Sequence, residues 1–204
     1  KNKGVVMKLS KLLKYNQIVV QCHDNPDADA IASGYGVYTY LKSRGKDVRL
    51  VYGGRNVIRK SNLVMMIKEL DIPIENVRHT SCEEPAELLV TVDCQYGEGN
   101  VTLYPAQNVA VIDHHRVSKP LPKMHEVESH LGACSTLVWN MLKDEGIDPN
   151  ENENLATALY YGLYTDTGNL EEIYHEKDME LRDNAKVRSG LITKLRNANI
   201  SIEE

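Results

Sequence analysis

The sequence predicts an α/β fold with a parallel sheet of about five strands, helices on both faces and a helical C-terminal part. Two observations predict it. Apolar runs of strand length alternate with segments of helical periodicity as far as residue 129, and only helical patterns follow. The runs at 17–20, 88–92 and 109–112 are almost continuously apolar, which is typical of parallel strands covered on both faces.

Local signals place each element along the chain. The predicted strands are 17–22, 47–52, 87–93, 109–113 and a shorter one at 125–129. The predicted helices are 29–44, 61–70, 132–145, 151–165 and 176–188, with a further helix beginning near Leu191. Gly45 and Gly146 follow helices as stop signals, and Ser61 is the expected N-cap of the second helix.

Composition narrows the class of protein. Of 204 residues, 42% are hydrophobic and 26% charged, as in an ordinary globular domain. The net charge of −5 argues against a protein that tracks long duplex nucleic acid, which usually carries a basic groove. No apolar run reaches the length of a membrane span, and no signal peptide precedes the first strand. Four cysteines without paired spacing indicate a reducing compartment, so we expect a cytoplasmic protein.

Potential metal ligands stand where the predicted strands end. His23, Asp27 and Asp29 follow the first strand, Asp93 ends the third, and the run 113–115, Asp-His-His, ends the fourth. Ligands of parallel sheets bind beyond the carboxyl ends of the strands, so these side chains should converge at one edge. Taken singly, Asp27 could be an N-cap, Asp29 a first-turn acid and Asp93 a turn former, but those readings leave His23 and the convergence unexplained.

Asp166 lies at the end of a predicted helix, where the helix dipole disfavours negative charge, so a nearby cation would explain it. A loop aspartate before Gly168 is the alternative. With Asp27, Asp29 and Asp93 it would form a cluster of four carboxylates, which repel one another unless cations compensate them. Two divalent cations would cancel the four charges.

These motifs, in this order, resemble those of the DHH phosphoesterase superfamily. They are His23-x-Asn25-Pro26-Asp27-x-Asp29, the isolated Asp93, Asp113-His114-His115 and Asp166-Thr167-Gly168. The superfamily includes RecJ-type exonucleases, family II inorganic pyrophosphatases, exopolyphosphatases, and nano-RNases that also dephosphorylate pAp. The resemblance spans residue 17 to about residue 185 and implies the strand order 2-1-3-4-5. Leu170 departs from the family pattern, which commonly has an aromatic residue there.

The resemblance also implies a role for each motif residue. One metal would be held by His23, Asp27 and Asp93, and the second by Asp29, Asp93, His114 and Asp166. Catalytic roles would fall to Asp93 as the bridge between the metals, to Asp113 as the residue that orients the histidines, and to His115 at the substrate phosphate. The family metal is usually Mn²⁺, with Mg²⁺ or Co²⁺ as substitutes, and mixed carboxylate and imidazole ligands suit Mn²⁺.

Substrate contacts are harder to identify. Arg55, with Arg59 and Lys60, follows the second strand at the same edge of the sheet, and Arg116 follows the histidine pair. His130 lies near the predicted site as well. Each of these could meet a substrate phosphate, or the basic residues could simply form solvated loops.

The expected activity is metal-dependent hydrolysis of phosphate esters in short oligonucleotides or nucleotides, by two-metal activation of water. The alternatives are an exopolyphosphatase or inorganic pyrophosphatase, a catalytically inactive binding protein, and metal-free acid–base catalysis by His114 or His115. Residues 1–190 would form the catalytic metal-binding domain, and 191–204 would begin a linker to a C-terminal substrate domain. We expect small phosphorylated substrates, no membrane partner and a possible homodimer.

Overall fold

The computed structural model describes residues 6–200. Its centre is a six-stranded sheet in which every strand pair is parallel. The strands are β1 (Gln17–Cys22), β2 (Asp47–Tyr52), β3 (Ile74–Asn76), β4 (Leu88–Val92), β5 (Val109–Asp113) and β6 (Met124–Val127). The α-helices are α1 (Ala28–Ser43), α2 (Ser61–Glu69), α3 (Cys134–Asp144), α4 (Glu153–Asp166), α5 (Glu176–Asn184) and α6 (Ser189–Ile200). The predicted α/β class and parallel sheet are confirmed.

The strand order is β3-β2-β1-β4-β5-β6. The five predicted strands follow the implied order 2-1-3-4-5, and β3 is an addition at the edge, paired with Leu50–Tyr52. Sequence patterning missed β3 because its three residues follow Pro73 and are too few to show a period.

Helix ends differ from the predicted ends by a few residues. Ser61 was expected to cap α2 but is its first residue, and Lys60 occupies the N-cap without a side-chain hydrogen bond. Asn152 caps α4 by accepting a hydrogen bond from the Leu155 amide. The helix predicted over 176–188 ends at Asn184. The chain then turns and Arg188 donates hydrogen bonds to Glu69 of α2, so that α6 starts at Ser189.

Coverage of the two sheet faces is unequal. The larger apolar cluster joins one face of the sheet to the buried sides of the α-helices, with Trp139 and Tyr161 among its largest members. Val19, Val51 and Leu89 point to the other face and meet Val77 and Tyr104 in a smaller cluster. This second face is therefore closed mainly by the two connections on either side of β4, residues 77–87 and 93–108, the first of which contains a short 3₁₀ turn at Thr80–Cys82.

Helix α6 packs on α2, with Leu191 and Leu195 buried. The start of the segment predicted as a linker therefore lies against the domain, whereas residues 201–204 are outside the described part. The boundary at 190 stays a prediction. Among residues 6–200, none of the helices combines the length and the apolar character needed to cross a bilayer.

Glycines let three helices approach closely. A Cβ atom built on Gly36 of α1 would lie 2.6 Å from Val138 Cγ1 of α3. On α4, a Cβ atom at Gly162 would lie 2.1 Å from Ser135 Oγ of α3 and 3.1 Å from Asp29 Oδ1 of α1. Three helices therefore meet at Gly162 with no space for a methyl group.

We expect Gly162→Ala to lower the free energy of unfolding by about 1–3 kcal/mol, because overpacking displaces Ser135 by more than helix propensity returns. Urea denaturation measures the change. Gly190→Ala is the matched control, since it also lies in a helix but its Cβ would meet nothing within 4 Å. A Gly162→Ala protein as stable as Gly190→Ala would contradict the close packing.

Candidate metal centre

The side chains predicted as metal ligands lie together at the carboxyl edge of the sheet. Three overlapping sets have ligand atoms within 4.8 Å of one another among the described residues: His23, Asp27 and Asp93; Asp29, His114 and Asp166; and Asp93, His114 and His115. Loops after β1, β4 and β5 supply most of these residues, and α4 supplies Asp166 at its last position. The convergence expected from the strand ends is therefore present.

His23 and Asp27 follow β1. His23 Nδ1 lies 2.8 Å from the Asp24 carbonyl oxygen, so that nitrogen carries a proton and Nε2 faces the cluster. Nε2 is 3.8 Å from Asp27 Oδ1 and 3.7 Å from Asp93 Oδ2. Asp27 also caps α1, because its Oδ1 accepts a hydrogen bond from the Ala30 amide. Capping and metal binding are compatible for this carboxylate, whose side chain is 53% exposed.

Asp93 lies between His23 and His114, with one carboxylate oxygen near each ring. Its side chain is only 2% exposed, and its backbone has φ of 56°, a left-handed conformation that aspartate tolerates better than most residues. Asp93 Oδ1 lies 3.3 Å from His114 Nε2, and neither atom has a hydrogen-bond partner in the structure although both are buried. Two unpartnered buried ligand atoms facing each other are what a bound cation would satisfy.

His114 faces three carboxylates. Its Nε2 is 3.6 Å from Asp29 Oδ2 and 3.3 Å from Asp166 Oδ2, in addition to its approach to Asp93. Its Nδ1 lies 3.0 Å from the Leu131 carbonyl oxygen. A backbone carbonyl on one ring nitrogen fixes the ring orientation and leaves the other nitrogen available to a metal.

Asp29 is fully buried and holds the start of α3. Its Oδ2 accepts a hydrogen bond from the Cys134 amide, and its Oδ1 accepts from the amide and the hydroxyl of Ser135. The positive end of the α3 dipole therefore faces this carboxylate. Because carboxylate oxygens have several lone pairs, these bonds leave Oδ2 able to reach a cation shared with His114.

Asp113 acts on His115 more than on His114. His115 Nδ1 donates to Asp113 Oδ1 at 2.7 Å, whereas Asp113 meets His114 only through the His114 amide. The expectation that Asp113 orients both rings therefore applies to His115, and the Leu131 carbonyl orients the other. Gln95 Nε2 donates to Asp113 Oδ2 at 2.9 Å, which fixes the buried carboxylate from its second oxygen.

The pKa values show how acidic this cluster is. Burial raises the pKa of Asp29 well above its usual range, and the charges of Asp93 and Asp166 raise it further. Burial alone lowers the pKa of His114, but contacts with Asp166 and Asp93 outweigh it and raise the value to about 12. For His23, Asp27 and Asp93 outweigh burial and raise the pKa to about 11. Without a cation the imidazoles thus hold protons, which metal binding would displace.

Two groups of cavities border the cluster. A polar cavity of about 230 Å³ lies beside His115 and includes Asp93, Gln95 and Arg116 in its lining. Cavities of about 220 and 190 Å³ lie beside Asp27. Of the predicted substrate contacts, Arg116 therefore borders a cavity at the site, whereas Arg55 and His130 are exposed and line none of these three.

Sequence reasoning missed several groups that hold the site. Gln95 fixes Asp113, and the Leu131 carbonyl fixes His114. The Asp24 carboxylate accepts hydrogen bonds from the amide and the hydroxyl of Thr102, which anchors the loop covering the smaller apolar cluster. The only feature of the sequence that pointed to Gln95 was its position two residues after Asp93. A backbone carbonyl such as that of Leu131 cannot be recognised as a site group from sequence.

A solved structure shares the fold. An exopolyphosphatase-related protein from Bacteroides fragilis aligns with a TM-score of 0.71 at 20% identity, over 93% of this chain and 60% of that one. At this identity the likeness supports the fold alone.

Curated relatives are similar in sequence. MJ1633, an uncharacterized protein of Methanocaldococcus jannaschii, is 28% identical over 97% of this chain and 41% of its own length. NrnA of Thermus thermophilus, a bifunctional oligoribonuclease and PAP phosphatase, is 28% identical over 75% of this chain and 44% of its own. A probable manganese-dependent inorganic pyrophosphatase of Streptococcus thermophilus is 28% identical over 74% and 48%. The chain thus spans less than half the length of these relatives.

The model of the DHH family, N-terminal domain, matches residues 17–163. The matched segment runs from β1 to the last turn of α4 and contains every candidate ligand except Asp166. Because the match covers well over half of the chain, the chain belongs to the DHH family.

Proposed function

We propose that this chain is the catalytic domain, residues 1–190, of a metal-dependent phosphoesterase that acts on short oligonucleotides or nucleotides. One observation carries the proposal: Asp93 Oδ1 and His114 Nε2 are buried, unpartnered and 3.3 Å apart, at the centre of overlapping sets of carboxylate and imidazole ligands. Membership of the DHH family, and relatives named as phosphatases and an oligoribonuclease, support a phosphate-hydrolysing role.

The ligand sets suit two divalent cations. His23, Asp27 and Asp93 would hold one, and Asp29, Asp93, His114 and Asp166 the other, with Asp93 shared. Mn²⁺ fits the mixed oxygen and nitrogen ligands, and the relative named as a manganese-dependent pyrophosphatase supports that choice. Such cations, when bound, supply water activation and charge neutralisation at a phosphoryl group.

Asp113 and His115 would act on the substrate rather than on the metals. Hydrogen bonds from His115 and Gln95 outweigh burial and lower the pKa of Asp113, which therefore stays ionised. Asp113 in turn raises the pKa of His115, whose ring keeps its proton on Nδ1. The Nε2 of His115 then faces outward from a side chain that is 59% exposed. A protonated ring in that position would stabilise phosphoryl charge or protonate a leaving oxygen.

A nucleotide or a short oligonucleotide is the substrate class we favour. The net charge of −5 does not suit a surface that binds long duplexes, and the cavities beside the cluster are small. NrnA acts on such substrates, whereas the similar pyrophosphatase supports inorganic phosphates as the alternative. We also propose that the protein forms a homodimer and that a C-terminal domain contributes to substrate binding.

The shared role of Asp93 predicts the metal content. We expect about two Mn²⁺ per chain, and at most one in Asp93→Asn, because both sets lose an anionic ligand. Elemental analysis after desalting measures the content, and circular dichroism reports folding. Asp71→Asn is the matched control, since Asp71 has φ of 53°, close to the 56° of Asp93, but belongs to none of the ligand sets. If Asp93→Asn retained two metals per chain, the proposal that Asp93 binds both metals would be refuted.

His115→Asn should lower the rate of phosphate-ester hydrolysis by about 10²- to 10⁴-fold and leave the metal content unchanged. The reason is that His115 borders the cavity through an exposed ring. Although its Nδ1 lies near Asp93, neither of the two proposed metal sites includes His115 as a ligand. His125→Asn is the control, because His125 is exposed, its Nδ1 lies 2.7 Å from the Pro122 carbonyl oxygen, and it belongs to none of the ligand sets found among the described residues. Equal rates of hydrolysis by the two variants would show that His115 takes no part in the reaction.

A panel of pAp, a dinucleotide, pyrophosphate and polyphosphate tests the substrate class. We expect Mn²⁺-stimulated release from pAp and the dinucleotide to exceed that from the two inorganic compounds. Faster hydrolysis of pyrophosphate or polyphosphate would favour the alternative activity. Two bound metals with no turnover of any compound would instead favour a binding protein and refute the enzyme.

A further inference from the structure

A trough lies beside Asp27 and is distinct from the polar cavity beside His115. It consists of the two cavities of about 220 and 190 Å³, which share Asp27, Lys60 and Leu63 in their linings. Asp166 also borders the second cavity. The Asp27 trough therefore reaches both candidate metal sets, yet none of its lining residues borders the cavity beside His115.

One wall of the Asp27 trough is apolar. Pro26, Val57, Ile58 and Leu63 line the larger cavity, and residue Val57 is 42% exposed. A ligand with an apolar face would gain free energy by covering this wall, because that contact removes apolar surface from water. Pyrophosphate and polyphosphate have no apolar surface, so they would leave this wall uncovered. A flat nucleobase would cover it.

The same cavity carries positive charge. Arg59 and Lys60 line it, both are exposed, and neither forms an ion pair within residues 6–200. Lys60 is the N-cap of α2, and its side chain caps no amide. The amides of Ser61 and Asn62 therefore donate no hydrogen bond to the N-cap, whereas the Leu63 amide donates to the N-cap carbonyl oxygen. An anionic group attached to the ligand would meet these donors.

Asn62 adds a requirement for a hydrogen-bond donor. It lines the smaller cavity, the residue is only 6% exposed, and its Nδ2 donates to the Tyr161 hydroxyl at 3.0 Å. Its Oδ1 is buried without a partner. A fully ionised phosphate offers acceptors alone, whereas a sugar hydroxyl is a donor that would satisfy this oxygen.

We infer that the Asp27 trough is a subsite for a nucleoside monophosphate. The base covers the wall at Pro26 and Val57, a sugar hydroxyl meets Asn62, and the phosphate faces Lys60 and the metal centre. This assignment rests on the proposed function in one respect, since it places the ligand's phosphate at the metal centre. It goes further by naming the side of the site that selects a nucleotide over an inorganic phosphate.

Equilibrium binding to the Mn²⁺-loaded 204-residue chain tests the subsite, with AMP and ribose 5-phosphate as probes. AMP is a product of the proposed reaction, so its binding can be measured by calorimetry without turnover. We expect AMP to bind about fivefold or more tightly than ribose 5-phosphate, because base stacking on an apolar wall adds affinity. Val57→Asp should remove this difference. Because its added negative charge repels the phosphate of both probes alike, the ratio of the two affinities is the readout.

Two matched controls separate the trough from general effects. Val64→Asp changes another exposed valine, 47% exposed, outside the trough, and should retain the preference for AMP. Lys60→Gln should weaken both probes about three- to tenfold, whereas Lys68→Gln at the other end of α2 should weaken neither. Equal affinity of the unmodified chain for both probes, no AMP binding at millimolar concentration, or equal effects of Val57→Asp and Val64→Asp would overturn the assignment.

Failure of the subsite and failure of the proposed enzyme give different results. A chain that hydrolyses pAp but binds AMP and ribose 5-phosphate equally refutes the subsite alone. A chain that prefers AMP but releases no product from any compound of the panel supports the subsite and refutes the enzyme.

Discussion

Asp29 brings a fully buried carboxylate to the place where α1, α3 and α4 meet. Two amides and a hydroxyl at the start of α3 bind its oxygens, and Gly162 of α4 leaves room for that contact. A buried carboxyl group without such donors would be strongly destabilising, so the packing of the helices depends on these hydrogen bonds. The burial that this packing imposes raises the pKa of Asp29 in turn. The same contact sets the distance between Asp29 and His114. Packing of the helices therefore determines part of the geometry of the metal centre.

Accumulated negative charge is the second constraint. The donors around Asp29 offset one carboxylate, whereas Asp93 is nearly as buried and has an oxygen with no donor. Protons on His23 and His114 can offset part of the remaining charge, as their raised pKa values show. Divalent cations would offset more charge and would also fill the space between the unpartnered atoms. The acids of this cluster are individually unfavourable, and a cation bound among them would make them compatible.

The parts of this site that sequence could predict are those encoded by local order. Strand ends carry the acids and histidines, and parallel strands bring their carboxyl ends to one edge, so His23, Asp93 and His114 could be placed together in advance. Gln95 and the Leu131 carbonyl could not, since their roles depend on how the loops after β4 and β6 lie against Asp113 and His114. The edge strand β3 was missed for a different reason, because three residues carry too little pattern.

The arrangement of the cavities suggests a direction for the substrate. His115 and Asp27 are the two most exposed members of the ligand cluster, and each borders a different cavity. Buried Asp93 lies between them, close to His23 on one side and to His115 on the other. On the His115 side the lining is polar, with Arg116 beside it, which suits a charged or leaving oxygen. On the Asp27 side an apolar wall lies beside the side chains of Arg59 and Lys60, which suits a group with both a ring and a negative charge. If cations at Asp93 held the bridging phosphate of a dinucleotide, the nucleoside that keeps the phosphate would lie toward α2 and the leaving oxygen toward His115.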